Sequence, residues 1–298
     1  MKILKWFGII LSVLVILVVL YIVYIFISSN SILNKEYSFT VKTTTIPSDS
    51  ASIAHGAHVA VIYGCTDCHG RKLEGGAFID NPAMGQIYSP NLTSGEGGIA
   101  KDYTDKDWVR AIRHGVGKRG NPLLIMPSND YYYMSDRDLG DLLAYIKQVP
   151  PANNITGKTS PGPILRMLLA NGTAKMPADV INHEAPRPKA PEPGVTAEYG
   201  KYLAVGCTGC HGKSFSGGKI KNGDPSWPPA KNITPDKETG IGNWTPENFY
   251  TALREGLSKD GREIDPAMPR AFGKMTDNEI VALWLYLQTL SAKPYGNY

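Results

Sequence analysis

The chain has 298 residues, of which 42% are hydrophobic and 19% are charged, and its formal net charge is +4. A chain of this length usually forms two domains. Lys2 and Lys5 supply two of the four net positive charges, and residues 1–30 contain no acid. The remaining body carries only +2, which excludes a strongly basic surface for nucleic acid.

An uncharged stretch runs from Trp6 to Ile27. Its 22 residues can cross a bilayer core, which requires about 20 residues as a helix. A cleaved signal peptide has a shorter apolar core of about 7–15 residues and a small-residue cleavage site, which we do not find after Ile27. The sequence therefore predicts a retained anchor at residues 1–30. Lys2 and Lys5 predict a cytoplasmic N-terminus, a single pass through the bacterial inner membrane, and a periplasmic body.

All four cysteines lie in two Cys-x-x-Cys-His motifs, Cys65–His69 and Cys207–His211. This pattern is the attachment signature of c-type haem. The two thiols of each motif form thioethers to the porphyrin, and the adjacent histidine becomes an iron ligand. The sequence therefore predicts two covalently bound haem c groups, held by Cys65, Cys68, Cys207 and Cys210, with His69 and His211 as ligands.

Two other uses of paired cysteines fit less well. A disulfide would leave the following histidine unexplained in both motifs. A structural zinc ion needs four ligands in one site, and the two motifs are 142 residues apart in repeated contexts. We therefore favour haem over both alternatives.

The second half of the chain repeats the first. Gly64–Gly70 matches Gly206–Gly212, and Asn91-Leu-Thr matches Asn232-Ile-Thr. The pairs Met126-Pro and Met268-Pro also match, and so do Met134 and Met275. This duplication predicts one cytochrome domain at residues 51–150 and another at 196–298, joined by a linker at 151–195. The linker is proline-rich at 184–194. Its apolar run Ile164–Leu169 is expected to pack as a strap on the domain interface.

The soluble part is predicted to be helical. We expect helices at Asp107–His114, Asp136–Gln148, Asn248–Glu255 and Asp277–Leu290, preceded by capping residues such as Thr104 and Thr245. The segments 70–102 and 212–243 are rich in Gly and Pro and are expected to be loops, and we find no convincing alternating strand. The predicted fold class is all-α, with two haem domains in tandem after one transmembrane helix.

Met126 and Met268 are the predicted second axial ligands. Each lies 61 residues after the first cysteine of its domain, follows a Gly-containing loop and precedes a proline. A methionine ligand raises the haem potential. Met134 and Met275 directly precede helix N-caps, where an apolar residue commonly packs as a staple, so we expect them in the core.

Histidine is the alternative second ligand. Glu255 replaces His114 in the repeat, so His114 lacks a counterpart, and His183 lies in the linker. His55 and His58 align with Tyr199 and Tyr202 and are expected at the surface or at a haem edge. A bis-histidine first haem therefore requires the repeat symmetry to break.

Four other repeated residues have two interpretations. Arg113 and Arg254 are expected either to bind haem propionates, which suit guanidinium groups, or to face solvent. Tyr103 and Trp244 either donate a hydrogen bond to a propionate or pack in the core. The repeated Asn91 and Asn232 are expected to fix loops through side-chain turns.

The chain resembles bacterial class I dihaem cytochromes c, and most of all the cytochrome subunits of membrane-bound alcohol and aldehyde dehydrogenases. The resemblance covers about residues 51–298. It is carried by Tyr199–Ala204 before the second motif, Asn232–Asp236, Thr239–Gly242 and Met268-Pro269. It implies His69/Met126 and His211/Met268 axial pairs and a periplasmic electron relay. Those subunits typically carry three haem motifs, whereas this chain has two.

The expected function is a non-enzymatic relay of single electrons. The partners are expected to be redox proteins or respiratory subunits, with a quinol-oxidising complex or dehydrogenase as donor and a terminal oxidase or soluble cytochrome as acceptor. A stable place in a membrane-bound dehydrogenase is one alternative. A dihaem peroxidase is another, and it would need an open iron position that the paired methionines argue against. A redox sensor is the third.

Overall fold

The computed structural model describes residues 2–187, 189–220 and 226–296. Residues 221–225 of the predicted loop at 212–243 lie outside this part, as do Met1, Pro188 in the linker and the last two residues. The described chain is mostly helical. We use "first domain" for the elements between residues 50 and 149 and "second domain" for those from 197 onward.

Helix α1 spans Lys2–Leu33 and has a mean hydropathy of 3.2 over its most apolar window. No residue of that window is buried by the part of the chain that the structure describes. Among the described helices, α1 alone is long and apolar enough to cross a membrane. Its length and composition fit the predicted anchor.

The first domain contains α2 (Ser50–Ile62), α3 (Cys65–His69), α4 (Asp105–His114), α5 (Ser128–Tyr131) and α6 (Asp136–Gln148). Thr104 and Ser135 cap α4 and α6 through their side chains, as their sequence predicts. Helix α2 packs across α6. Gly56 lies at the crossing, where an added Cβ would stand 1.9 Å from the carbonyl oxygen of Asp141.

A small antiparallel sheet corrects the all-α prediction. It consists of β1 (Gly76–Asn81), β2 (Gly85–Ser89) and β3 (Ser160–Pro161), in that order. The side chain of Asn81 accepts a hydrogen bond from the amide of Ala83 at 2.8 Å and so closes the β1–β2 turn. Strands β1 and β2 lie inside the segment 70–102 predicted to be a loop, and β3 lies in the linker. The sequence did not indicate β1 as a strand because it shows little hydrophobic alternation and is largely exposed.

The linker contains α7 (Pro163–Ala170) and a 3₁₀ turn at Pro177–Val180. The predicted strap on the domain interface is wrong, because α7 packs along the end of α1 instead. Leu165 and Leu169 of α7 join a cluster with Ile87 and Met176, against which Ile32 of α1 packs. The linker therefore packs against both the first domain and α1.

The second domain contains α8 (Ala197–Leu203), a 3₁₀ turn (Ala204–Cys207), α9 (Thr208–His211), α10 (Pro246–Arg254), a 3₁₀ turn (Arg270–Lys274) and α11 (Asp277–Thr289). Thr245 and Thr276 form the capping boxes of α10 and α11. Helix α8 crosses α11 at Gly200, where an added Cβ would lie 1.9 Å from the carbonyl oxygen of Ala282. This crossing repeats that of Gly56 in the first domain.

The two domains are in contact. Tyr63, at the end of α2, packs against the cores of both domains, and Ile62 is buried in the second one. His58 on α2 contacts Glu279 on α11. The prediction that His58 lies at the surface or at a haem edge is therefore wrong. It faces the other domain.

Candidate haem sites

Each motif histidine is held by one ring nitrogen, so that the other is free. Nδ1 of His69 lies 2.9 Å from the carbonyl oxygen of Pro90, and Nδ1 of His211 lies 2.7 Å from that of Lys231. A carbonyl can only accept, so Nδ1 carries the proton and Nε2 keeps its lone pair. Burial lowers the pKa of both histidines, against the opposing effect of the carbonyl. This tautomer fits an iron ligand, because metal-binding histidines commonly donate their second N–H in this way.

The end of each motif helix explains the glycine that follows the histidine. Gly70 has φ +81° and Gly212 has φ +76°, values that favour glycine. The chain turns back there, and the carbonyl oxygens of His69 and His211 accept from the amides of Gly75 and Gly217 at 2.7 and 3.0 Å. Each turn fixes the position of its histidine.

A cavity of about 750 Å³ opens beside the second motif. Cys207, Cys210 and His211 line it together with Met268 and Trp244. Its lining is mostly apolar, and its size lies within the range of pockets that hold cofactors. The two thiols, the free histidine nitrogen and a thioether around one apolar space fit a c-type haem.

In the first domain, Met126 and Tyr103 pack against the core that also contacts Cys65. Tyr103 lies against Trp108, with ring centroids 5.0 Å apart, and burial is the main cause that raises its pKa. Both contacts agree with the core interpretation of Tyr103.

Met134 and Met275 are 1% and 2% exposed and belong to the two cores, which confirms their predicted packing role.

The two arginines have protein partners. Arg254 pairs with Asp277 at 2.7 Å and donates to the carbonyl oxygen of Gly273, and it is absent from the described lining of the cavity. Arg113 is 1% exposed and pairs with Asp136 at 3.1 Å. These contacts link α4 to α6 and α10 to α11. Binding of a propionate by either arginine stays a prediction, and the exposed alternative is wrong for Arg113.

The other four histidines have partners away from the described second cavity. His55 lies 2.8 Å from a carboxylate oxygen of Asp141. Nδ1 of His114 lies 3.0 Å from Nδ1 of His183. Burial, and then the nearby His183 and Arg113, lower the pKa of His114 to about 4. His58 contacts Glu279. None of these four histidines lines the described second cavity, and the second ligand of the first haem stays a prediction.

The repeated asparagines fix loops as predicted. Oδ1 of Asn91 accepts from the amide of Thr93, and Oδ1 of Asn232 accepts from that of Thr234, both at 2.9 Å. Each Nδ2 reaches the chain after the last helix of its domain, at the carbonyls of Ala152 (2.7 Å) and Lys293 (2.8 Å). These loops carry the carbonyls that hold the two motif histidines, because Pro90 and Lys231 directly precede the asparagines.

Sequence reasoning missed the carbonyls of Pro90 and Lys231 and the position of α5. The carbonyls could have been found from the repeat, because they lie 21 and 20 residues after their histidines beside the matching asparagines. The location of α5 between the two motifs has no such sequence signal, because it depends on how the domains dock.

All four cysteines are free thiols in the described structure. The described residues contain no group of three or more His, Cys, Asp or Glu side chains that could hold a metal ion by themselves. Neither the disulfide nor the zinc alternative is supported.

A model of the cytochrome c family matches residues 53–150 and 197–291. The chain belongs to the cytochrome c family. It accordingly binds two haem c groups covalently and serves electron transfer.

Three relatives agree with this cytochrome's assignment. The gluconate 2-dehydrogenase cytochrome c subunit of Pantoea cypripedii is 29% identical over 82% of this chain and 61% of its own length. The alcohol dehydrogenase (quinone) cytochrome c subunit of Gluconacetobacter polyoxogenes is 30% identical over 87% of this chain and 60% of its own length. A diheme cytochrome c-type of Cereibacter sphaeroides is 29% identical over 33% of this chain and 38% of its own length. The chain thus spans about three fifths of the first two relatives.

Proposed function

We propose that this cytochrome is a membrane-anchored relay that passes single electrons, on the periplasmic side of the inner membrane, from a dehydrogenase or quinol-oxidising complex to an acceptor such as a terminal oxidase. When bound, each haem supplies a one-electron Fe(III)/Fe(II) couple. The protein's own residues set the ligands, the exposure and the distance between the two sites.

The observation that carries the proposal is the position of α5 between the two motifs. Tyr131 packs with Cys65 against the core of the first domain, and its hydroxyl donates to the carbonyl oxygen of Tyr63 at 2.8 Å. Asp130 beside it faces the second motif, because a Cβ added to Gly209 would lie 3.5 Å from its carboxylate oxygen. One short helix therefore contacts both attachment sites, which suits transfer within the chain.

The axial residues support a relay over a peroxidase. His211 and Met268 line one cavity, so Met268 can close the iron position that a peroxidase must open. Met126 is its counterpart after the same spacing in the first domain. We propose Met126 and Met268 as the second ligands of the two haems.

The anchor supports a fixed place among membrane partners. Lys2 and Lys5 favour a cytoplasmic N-terminus, and tethering raises the effective concentration of the cytochrome near its partners. The names of the relatives favour a dehydrogenase as the donor. Service as the electron-transfer subunit of such an enzyme is therefore the second candidate function.

Membrane vesicles that carry the full-length cytochrome test the proposal. Addition of a dehydrogenase substrate or a quinol under nitrogen should reduce both haems, and admission of oxygen should reoxidise them at the rate of respiration. The same protein should not turn over hydrogen peroxide with a chromogenic donor. Peroxide turnover would favour the enzyme, and failure of the membranes to reoxidise the haems would favour a sensor.

A further inference from the structure

Helix α7 runs antiparallel to the last part of α1. Near its start, Arg166 donates to Ser29 at 3.0 Å and to Asn30 at 2.8 Å. At its end, Tyr24 donates to the carbonyl oxygen of Ala170 at 3.2 Å, and Asn171 donates to the hydroxyl of Tyr21 at 3.1 Å. The end of α7 therefore lies beside residues that belong to the uncharged stretch 6–27.

The depth of that contact follows from helix geometry. Tyr21 precedes Ile27 by six residues, which is about 9 Å along the axis at about 1.5 Å per residue. Tyrosine is favoured where the acyl chains meet the headgroups. With residues 6–27 across the bilayer, Tyr21 and Tyr24 lie within about 9 Å of the end of the span, near this boundary, and the end of α7 lies at the same level.

The three faces of α7 have different surroundings. Leu165 and Leu169 are buried in the cluster with Ile87, and the face with Arg166 meets α1. The third face is apolar and is only partly covered by protein. It carries Ile164, which is 43% exposed, and the partly exposed Met167 and Leu168.

The charge of this part of the chain is one-sided. Residues 142–178 contain no Asp or Glu but four basic residues: Lys147, Lys158, Arg166 and Lys175. Lys147 pairs with Asp105 of α4 and Arg166 binds α1, whereas Lys158 and Lys175 are exposed. Basic residues near an apolar helix face attract anionic lipids at a membrane surface. Interfacial helices of this kind bury their apolar face about 5–10 Å into the headgroup and acyl boundary.

We propose that the third face of α7, formed by Ile164, Met167 and Leu168, inserts into the outer leaflet of the bilayer beside α1, with anionic phospholipid as its partner. This inference rests on the membrane anchoring in the proposed function. The cytochrome is then attached to the membrane by two helices, α1 across the bilayer and α7 at its surface.

Attachment through both α1 and α7 fixes the orientation of the first domain relative to the membrane. Lys35, just after α1, pairs with Asp179 in the linker, and Phe39 stacks on His183 with ring centroids 4.2 Å apart. Asn121 of the first domain donates to the carbonyl oxygen of Asn34 at 3.2 Å. The segment after α1 is therefore held on the protein, and the first domain stays close to the membrane surface.

A single labelled cysteine tests the insertion. Because the four native cysteines are consumed by the haems, Ile164→Cys adds the only free thiol of the holoprotein. It is labelled with an environment-sensitive NBD fluorophore in full-length protein, in vesicles of phosphatidylethanolamine and phosphatidylglycerol. Glu238→Cys, in an exposed loop of the second domain, is the matched control. Iodide quenching is measured as an intensity ratio, so that constant quenching by haem cancels.

We expect the label at 164 to emit at shorter wavelength and to be several-fold less quenched by iodide than the label at 238. Equal quenching at the two positions in vesicles would overturn the proposal. Protection at 164 in native membranes but not in pure lipid would also overturn it, because the face would then bind a partner protein. A normal haem spectrum after reduction with dithionite verifies that each variant has folded with its haems. The outcome of the labelling experiment does not depend on whether the proposed electron relay is correct.

Discussion

His58 of the first domain and Glu279 of the second meet across the domain interface, with Nε2 of the histidine 2.8 Å from Oε2 of the carboxylate. The reciprocal contact joins Tyr202 of the second domain to Asp138 of the first. His58 and Tyr202 each lie two residues after the crossing glycine of their helix, and Asp138 and Glu279 each occupy the third position of the last helix. The duplicated domains therefore dock with approximate twofold symmetry, each through the same surface.

Removal of the charge of Glu279 should weaken this interface at neutral pH and much less at acidic pH. Burial acts to raise the pKa of Glu279, but hydrogen bonds from His58 and Thr276 lower it overall. A carboxylate with a depressed folded pKa stabilises the protein above its unfolded pKa of about 4.3, and this contribution is lost as the pH falls through the folded value. Glu279→Gln keeps an acceptor for the capping box but loses the charge.

We expect Glu279→Gln to cost about 1 kcal/mol at neutral pH, the usual contribution of one hydrogen bond. The difference from the wild type should shrink toward zero as the pH is lowered through the folded pKa. Thermal unfolding between pH 3 and 7 measures it, with the exposed Glu238→Gln as control. A difference that does not change with pH would contradict this role of the charge.

The crossing glycines should tolerate no side chain. A Cβ at Gly200 would lie 1.9 Å from the carbonyl oxygen of Ala282, so Gly200→Ala must force α8 away from α11. Overpacking of this kind typically costs about 1–3 kcal/mol. Urea unfolding of the holoprotein measures the loss, and Gly56→Ala should behave alike. Gly194→Ala has open space around its Cβ and should be nearly neutral; equal effects at 194 and 200 would refute the crossing.

Asn232 should be important for the second domain because its buried side chain joins a loop to the C-terminal segment. It is 2% exposed, and its replacement by alanine leaves the amide of Thr234 without its acceptor and the carbonyl of Lys293 with only a long 3.4 Å bond from the Thr234 hydroxyl. We expect Asn232→Ala to cost about 1–3 kcal/mol in free energy of unfolding, as for other buried groups left unpaired. Asn243→Ala removes a similar bond at an exposed site and should cost less than about 1 kcal/mol. A reversed order would contradict the loop-fixing role.

Met268 should contribute one of two sulfur ligands. Met268→Ala should therefore remove about half of the near-infrared sulfur-to-iron absorption, a share that follows from one methionine per haem. Met275→Leu is the control, because Met275 is buried in the core and this change conserves volume. Optical spectra of the oxidised holoproteins measure both. Full absorption in the Met268 variant would show that another residue provides the ligand.

The sequence predicted the parts of the site that depend on local chemistry repeated twice. Each motif, capping residue and loop asparagine determines its own surroundings within a few residues, so the duplication exposed them. The sheet was missed because Gly76–Asn81 has little hydrophobic alternation and because its partner strand β2 pairs on the other side with the distant Ser160. The apolar run of α7 correctly indicated a packed segment but could not name α1 as its partner.

The protein partners of His58 and Arg113 were not predicted, for a related reason. Both side chains find their partners on other helices, at Glu279 and Asp136. Such pairs depend on how packed elements meet, which neither periodicity nor spacing encodes. The repeat could only indicate that Arg113 and Arg254 share a role, and each does pair with the first residue of the helix that ends its domain.

The most direct test of the account is a reductive titration of the purified full-length holoprotein, followed by exposure to carbon monoxide. If both sixth positions are closed by Met126 and Met268, the protein should take up two electrons per chain, and its reduced spectrum should not change with the gas. Uptake of one electron, or a carbon monoxide adduct on either haem, would contradict a relay built from two closed sites.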